Sequence, residues 1–337
     1  MRSSVRVLKV AVEQYPLKEP FRITGHELLA AEVVTVTLME GGLAGRGEAS
    51  GVYYRDGEDI AGIVKRIEAI RRELERGIDR ASLQELIPAG GARNAVDCAL
   101  WDLEAKLTRT PAWQIAGLEE PRSLLTTFTC PANDPGEMAA TARSYTQAKA
   151  IKLKLTGEAI DADRVRAVRA ERPEVWLCVD ANQGFTPESL ARLMPVFLEA
   201  NVMLIEQPFL IEQDALLESL DSPIPLASDE SVQGLADLSR QIGRVDVVNI
   251  KLDKCGGLTE GFAMARAARA SGLEVMVGNM NGTSLAMAPS FLVGQLCDVV
   301  DLDGPIFLRK DRTPSVQYEN GMIFCPESLW GGVGATR

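Results

Sequence analysis

Histidine is nearly missing from this chain of 337 residues: His26 is the only one. That excludes histidine-rich zinc and iron centres, and it makes a Ser-His-Asp triad depend on a single residue near the N-terminus. Cysteine is sparse and scattered. Cys98, Cys130, Cys178, Cys255, Cys297 and Cys325 form no CxxC pair and no clustered spacing, which fits reduced thiols in a cytoplasmic protein better than a disulfide framework or a zinc site. No apolar run approaches the roughly 18–20 residues of a membrane span. The opening, Met1-Arg2-Ser3-Ser4-Val5-Arg6, leads directly into strand alternation, with no signal peptide in evidence. Positive charge is in deficit, 36 Lys and Arg against 47 Asp and Glu for a net charge of −11, which argues against nucleic acid and anionic membranes as partners. Chemistry in this chain therefore has to run on carboxylates and lysines, with or without a hard metal ion.

Two patterns of organisation are present. Residues 1–118 read as an α+β unit: Val5 to Tyr15 and Glu32 to Glu40 alternate as strands, loops interrupt at Lys18 to Leu28 and Gly51 to Glu58, and helical periodicity covers Ile60 to Glu75 and Ala92 to Leu107. From Leu125 short strands alternate with helices. Strands are expected at Leu125–Cys130, Ala150–Leu155, Val175–Asn182, Val202–Pro208, Pro225–Ser231, Val247–Lys254, Glu274–Met280 and Val299–Asp303. Eight βα-like units in series imply a barrel of parallel strands. No closing helix follows Asp303, so the fold class is α/β, a modified TIM barrel of (β/α)7β type. Residues 1–118 form a capping domain, 119–304 the barrel, and 305–337 a return to the capping domain, with Gly331 to Arg337 expected to be poorly ordered.

In the second barrel strand Ile151, Leu153 and Leu155 alternate with Ala150, Lys152 and Lys154, so two ammonium groups point the same way one pleat apart. A solvated edge strand guarded by lysines accounts for this stretch alone. The later strand ends favour an inward face. Asp180, Glu206 and Asp229 end strands three, four and five, 26 and 23 residues apart, at the end of a barrel where active sites form. Any one of them fits a helix cap, but three anions at one level repel unless a divalent cation joins them. All-oxygen ligation selects Mg²⁺ first and Mn²⁺ second. Strand six supplies Lys251, with Asn249 and Asp253 on its face and Lys254 on the other. Strands two and six oppose each other in an eight-membered ring, so Lys154 and Lys251 flank the metal. Two amines on opposite sides of an α-carbon can remove a proton from one face and return one to the other, while the metal takes up the enediolate charge. Nearby cations, Lys152 among them, are expected to lower the pKa of the base. Asp301 and Asp303 share a face at the end of strand eight; their spacing fits capping, a second metal site or a cationic group of the substrate equally.

These motifs together, Lys152-x-Lys154, Asp180-x-Asn182, Glu206-Gln207-Pro208, Ser228-Asp229-Glu230-Ser231 and Asn249-Ile250-Lys251-Leu252-x-Lys254-x-Gly256-Gly257, resemble the enolase superfamily and within it the muconate-lactonizing subgroup. The likeness extends to Ala92-Arg93-Asn94-Ala95-x-Asp97-x-Ala99-Leu100-Trp101-Asp102-Leu103 in the capping domain. It implies Lys154 and Lys251 as acid/base catalysts, Asp180, Glu206 and Asp229 as Mg²⁺ ligands, and Lys152, Asn182 and Glu230 as groups that orient them. Asp301-x-Asp303-Gly304-Pro305 resembles the dipeptide epimerases, which implies that the pair holds the ammonium of an L-Ala-Xaa dipeptide while the second α-carbon inverts. The implied partners are a small-molecule dipeptide and further copies of the chain as a homo-oligomer. In such enzymes a first-loop arginine serves glutamate substrates; here Arg22 stands early and Leu28 or Leu29 takes the expected region. Arg22, His26 and Glu27 in this loop, and Tyr53, Tyr54 and Arg55 in the second, are candidates for setting a different preference.

Other activities share the scaffold: N-acylamino acid racemase, o-succinylbenzoate synthase and muconate cycloisomerase. Their substrates carry no ammonium for Asp301 and Asp303. A Schiff-base aldolase and a non-enzymatic barrel are the readings outside the superfamily chemistry.

Overall fold

A computed structural model of the chain describes residues 6–23 and 25–333, with His26 described by its backbone alone. The N-terminal unit is a three-stranded antiparallel sheet, Val7–Ile23, His26–Glu40 and Leu43–Ser50. Its inner face, with Val34, Val36 and Leu38 fully buried, packs on the helices Ile60–Ala69 and Gly91–Thr108. Two expectations change here. The stretch from Lys18 to Leu28 is a continuation of the first hairpin, paired Phe21 to Leu28 and Arg22 to Glu27. Pro16 and Pro20 break the alternation because neither donates to a ladder, and the register shifts between Pro16 and Phe21. The helix expected through Glu75 is divided at Ile70, and a further helix, Arg80–Leu86, follows, capped by the Asp79 side chain on Ser82 N.

The remainder is a parallel barrel whose eight strands lie side by side in chain order: Thr127–Cys130, Ala150–Lys154, Trp176–Asp180, Val202–Glu206, Leu226–Ser228, Val247–Ile250, Glu274–Val277 and Val299–Val300. These are shorter than the apolar runs suggest, since each C-terminal end turns into the loops that carry the polar residues. Ile151 and Leu153 join the core against the outer helices, so Lys152 and Lys154 turn inward. Cys178, Leu204, Ala227, Val247 and Met276 fill the barrel's inside. Among the described residues no ladder joins strands eight and one. Side chains close that seam instead: Thr126 Oγ1 accepts from Leu302 N at 2.9 Å, and Asp303 accepts from Thr129 N at 2.7 Å.

The connection after strand four is a 3-10 helix, Ile211–Ser219, and a short 3-10 turn, Gly304–Phe307, stands where a closing helix would be. Beyond it the chain touches both units. Leu308 bridges to Leu17, and Arg312 binds Glu13 and Glu48 in the N-terminal sheet at 2.6 and 2.8 Å. The hairpin Gln317–Glu319 and Met322–Phe324 instead pairs with Leu124–Leu125 at the base of the barrel. Trp330 donates to the Arg46 and Cys98 carbonyls. Gly331, expected to be disordered, donates to Asp102 at 2.8 Å and accepts from Ala112 at 2.7 Å; residues 334–337 lie outside the described residues. Among the described residues no helix is long and apolar enough to cross a membrane.

Candidate active site

Lys154, Asp180 and Glu206 lie on one line across strands two, three and four, each the register partner of the next. Asp229 stands one residue past strand five. All three acids are buried, with Asp180 and Glu206 showing no exposed surface. Each is matched by lysine: Lys154 to Asp180 at 2.6 Å, Lys152 to Asp180 at 3.0 Å and to Glu206 at 2.7 Å, and Lys251 and Lys254 to the two oxygens of Asp229 at 2.6 Å each. Lys152 continues to Asp301 at 2.9 Å, whose other oxygen accepts from Thr127 Oγ1 at 2.5 Å. Lys154 and Lys251, from strands two and six, line one cavity together with Lys152, Asp229, Asp301 and Asp303.

Lys152 is an ionic hub that joins the acids of strands three and four to strand eight. The face read for Lys254 needs revision. Lys254, placed on the opposite face by strict alternation, reaches Asp229 and the Asn249 carbonyl. Alternation ends at Ile250, where the chain turns into a one-turn helix, Leu252–Cys255. The same turn carries Asp253 away from Lys251 to the capping domain, where it accepts from Ser50 N at 2.9 Å and Asn94 Nδ2 at 3.0 Å. Gly257 ends the segment at φ +117°, and a Cβ there would meet Asp97 Cβ at 2.6 Å. The capping helix is thereby pressed onto the loop that carries Lys251.

Asn182 and Glu230 meet each other, Asn182 Nδ2 donating to Glu230 at 3.2 Å. Asn249 Nδ2 donates to Glu206 Oε1 at 2.8 Å. Gln207, held at φ +36°, accepts from Asp229 N and Ser231 N at 2.9 and 3.1 Å and so fixes the end of strand five. Cys178 shares the inward face of strand three with Asp180, and burial holds its thiol protonated.

Charge decides the titration of these groups. Burial favours neutral Asp180 and Asp229, but their lysines outweigh it and hold both below the usual carboxylate range. Glu206 and Glu230 move the other way, raised by burial and then by Asp180 and Asp229 respectively. Asp303 is pushed up to about 7 by burial and the neighbouring Asp301 charge. Burial pulls Lys251 down most, yet Asp229 together with Glu206 and Glu230 more than offsets it and the net shift is upward. Lys152 lowers it, as a neighbouring cation should, but the surrounding acids carry the net shift upward. Lys254 is the lysine that moves down, through burial.

Six carboxyl groups (Asp180, Glu206, Asp229, Glu230, Asp301, Asp303) face four lysines, a formal excess of two acids. Hydrogen-bond partners are also missing for buried acceptors: Glu206 Oε2, Glu230 Oε2, Asn182 Oδ1 and Asn249 Oδ1. Glu206 Oε2 has only the ion-pair contact of Lys152. Acceptor oxygens in excess are what a hard divalent cation requires. The acids point at ammonium groups, however, and among the described residues no three His, Cys, Asp or Glu converge on a metal-sized point. The donor chemistry fits Mg²⁺; ligation requires the acids to turn from their lysines.

The cavity holds about 620 Å³. Tyr53, Tyr54 and Arg55 line it from the capping domain, with Arg55 bonded to the Lys254 and Ala89 carbonyls at 3.0 and 3.2 Å. Arg22 does not line it. Its cross-strand partner is Glu27, which it binds at 2.6 Å on the outer face of the hairpin, and it also donates to Asn133 at 2.9 Å. The side chain of His26 lies outside the described residues.

Comparison with known proteins agrees with this architecture. Residues 5–117 match the mandelate racemase / muconate lactonizing enzyme N-terminal domain, and residues 137–336 match the enolase C-terminal domain-like family. The chain is 39% identical over 321 residues to an L-Ala-D/L-Glu epimerase of Escherichia coli, covering 95% of this chain and 99% of that one. Among solved structures it resembles an enolase family member from Agrobacterium tumefaciens with homology to dipeptide epimerases, bound to sodium and L-Ala-L-Glu. The TM-score is 0.93 at 40% identity, covering 97% of this chain and 100% of that one. A dipeptide epimerase from Cytophaga hutchinsonii complexed with Mg and D-Ala-L-Val superposes with a TM-score of 0.90 at 25% identity, over 99% and 96% of the two chains. With both family models matched in order along the barrel and its cap, the chain belongs to the mandelate racemase / muconate lactonizing enzyme family of the enolase superfamily.

Proposed function

We propose that the protein is a Mg²⁺-dependent dipeptide epimerase, an isomerase that inverts the α-carbon of the C-terminal residue of an L-Ala-Xaa dipeptide. The observation that carries this reading is the pairing of Lys154 and Lys251 with different acids, Asp180 and Asp229, in one cavity. Similarity to dipeptide epimerases over nearly the whole chain supports it.

In this reading Asp180, Glu206 and Asp229 hold the cation, Mg²⁺ or alternatively Mn²⁺. When bound, it supplies a fixed positive charge for the substrate carboxylate. Asp303 and Asp301 receive the substrate ammonium, Asp303 being the one that no lysine neutralises. Lys154 and Lys251 then stand on either side of the second α-carbon. One, as the free amine, takes the α-proton; the other, as the ammonium, delivers a proton to the opposite face, and the roles exchange for the other epimer. Asp229 favours the ammonium form of Lys251, which suits it to donate. Lys152 supplies positive charge beside the enediolate and keeps Glu206 and Asp301 from repelling each other. Asn182, Glu230 and Asn249 fix the acids.

Substrates without an ammonium, such as N-acylamino acids or succinylbenzoate precursors, leave Asp301 and Asp303 without a counter-charge. Incubating a mixed dipeptide library in D₂O with Mg²⁺ and following mass tests the reading. Dipeptides should gain one deuteron at the second α-carbon; a library that stays unlabelled while N-acylamino acids exchange contradicts it.

A further inference from the structure

The cavity has unlike halves. Its floor carries the lysines and acids, whereas its roof, from the capping domain and the loop after strand seven, presents Ile23, Leu28, Val52, Tyr53 and Met280. Alternation along the first hairpin explains the roof. Phe21 and Leu28 are cross-strand partners that line the cavity, while the next pair, Arg22 and Glu27, falls on the other face and is satisfied there by its own ion pair.

The substrate's carboxylate, ammonium and α-hydrogen are all taken up by the floor. Its second side chain therefore has the roof for company. Among the described residues, every cation that reaches the cavity is engaged: Lys152, Lys154 and Lys251 by carboxylates, and Arg55 by two backbone carbonyls. The exposed charges that line the cavity are acidic, Glu32, Asp56 and Asp59. A side-chain carboxylate placed there would be partly dehydrated, unpaired and repelled. A basic side chain would lose hydration against apolar walls and reach those acids only at the mouth.

Resting on the dipeptide reading of this site, we propose that the second residue is apolar, aliphatic or aromatic, and that Leu28 is the residue that selects against a carboxylate. The test is kcat/KM for α-proton exchange of L-Ala-L-Leu, L-Ala-L-Phe, L-Ala-L-Glu and L-Ala-L-Lys with the wild-type, Mg²⁺-loaded protein. Leu or Phe should exceed Glu and Lys by about tenfold or more. Equal or higher values for Glu or Lys overturn the proposal. Exchange of none of the four overturns the dipeptide reading itself, and this inference with it. In Leu28→Arg the ratio of Glu to Leu should rise by about tenfold or more; residual exchange of L-Ala-L-Leu reports that the variant is folded, and an unchanged ratio in it removes Leu28 from the role.

Discussion

Lys152 Nζ lies 2.9 Å from Asp301 Oδ2, joining residues 149 positions apart in the chain. The same ammonium contacts Asp180 and Glu206, so one buried charge holds the acids of strands three and four to the strand-eight side.

Replacing that lysine with a neutral side chain leaves three carboxylates without their common partner. Lys152→Met should cost about 3–5 kcal/mol in stability, read from urea unfolding. It should also lower kcat/KM by about 10–100-fold, as loss of a supporting group does. Unchanged unfolding would mean that the hub is not closed as described.

Asp303 must be ionised to hold an ammonium, and its pKa in the free protein is pushed up to about 7. Below that pH the carboxyl is neutral, so kcat/KM for a dipeptide should fall about tenfold per unit as pH drops from 7 to 5. In Asp303→Asn activity should drop throughout, and this limb should disappear from the profile. A limb that persists unchanged assigns the titration to another group, such as Glu206.

The formal excess of acids predicts a response to metal without any turnover. Mg²⁺ should raise the melting temperature in a concentration-dependent way, and Mn²⁺ should do the same. Asp229→Asn should remove most of that shift. An equal shift in wild type and variant would assign metal binding to other groups.

Far from the chemistry, Asp97 is wholly buried between the capping helix and the sixth barrel loop, accepting from Thr259 N at 2.9 Å and Thr259 Oγ1 at 2.6 Å. Burial outweighs these bonds and pushes its pKa up to about 6 from 3.8. The folded state thus keeps a proton that the unfolded state has released, and stability is lost as pH rises from about 4 to 6. Its share is about 3 kcal/mol. Urea midpoints of wild type and Asp97→Asn at pH 4, 5, 6 and 7 should show the wild type losing stability relative to the variant across that interval. Parallel curves would contradict the shift.

The barrel and the level at which the three acids stand were legible because both rest on short-range rules. Ile151 and Leu153 facing out is enough to turn Lys152 and Lys154 in, and one βα unit per strand brings Asp180 level with Glu206. Errors begin where the local rule stops. Alternation carried past Ile250 reversed Lys254 and Asp253, because the chain had already turned into a helix. At Pro16 and Pro20 the opposite happened: the pattern broke while the hairpin continued. Which acid meets which lysine is a matter of packing between distant strands, and spacing carries no trace of it. The pairing of Arg22 with Glu27 was within reach from the hairpin register, had that stretch been read as strand.

Two-sided proton transfer is the centre of the account, and one experiment addresses it directly. Lys154→Ala and Lys251→Ala, each Mg²⁺-loaded, are incubated with the two epimers of one dipeptide substrate in D₂O, and α-deuterium is followed by proton NMR. Each variant should lose exchange of one epimer and keep a measurable rate for the other, with the two variants opposite in which epimer survives. Loss of the same epimer in both, or wild-type exchange of both epimers in either, would contradict it.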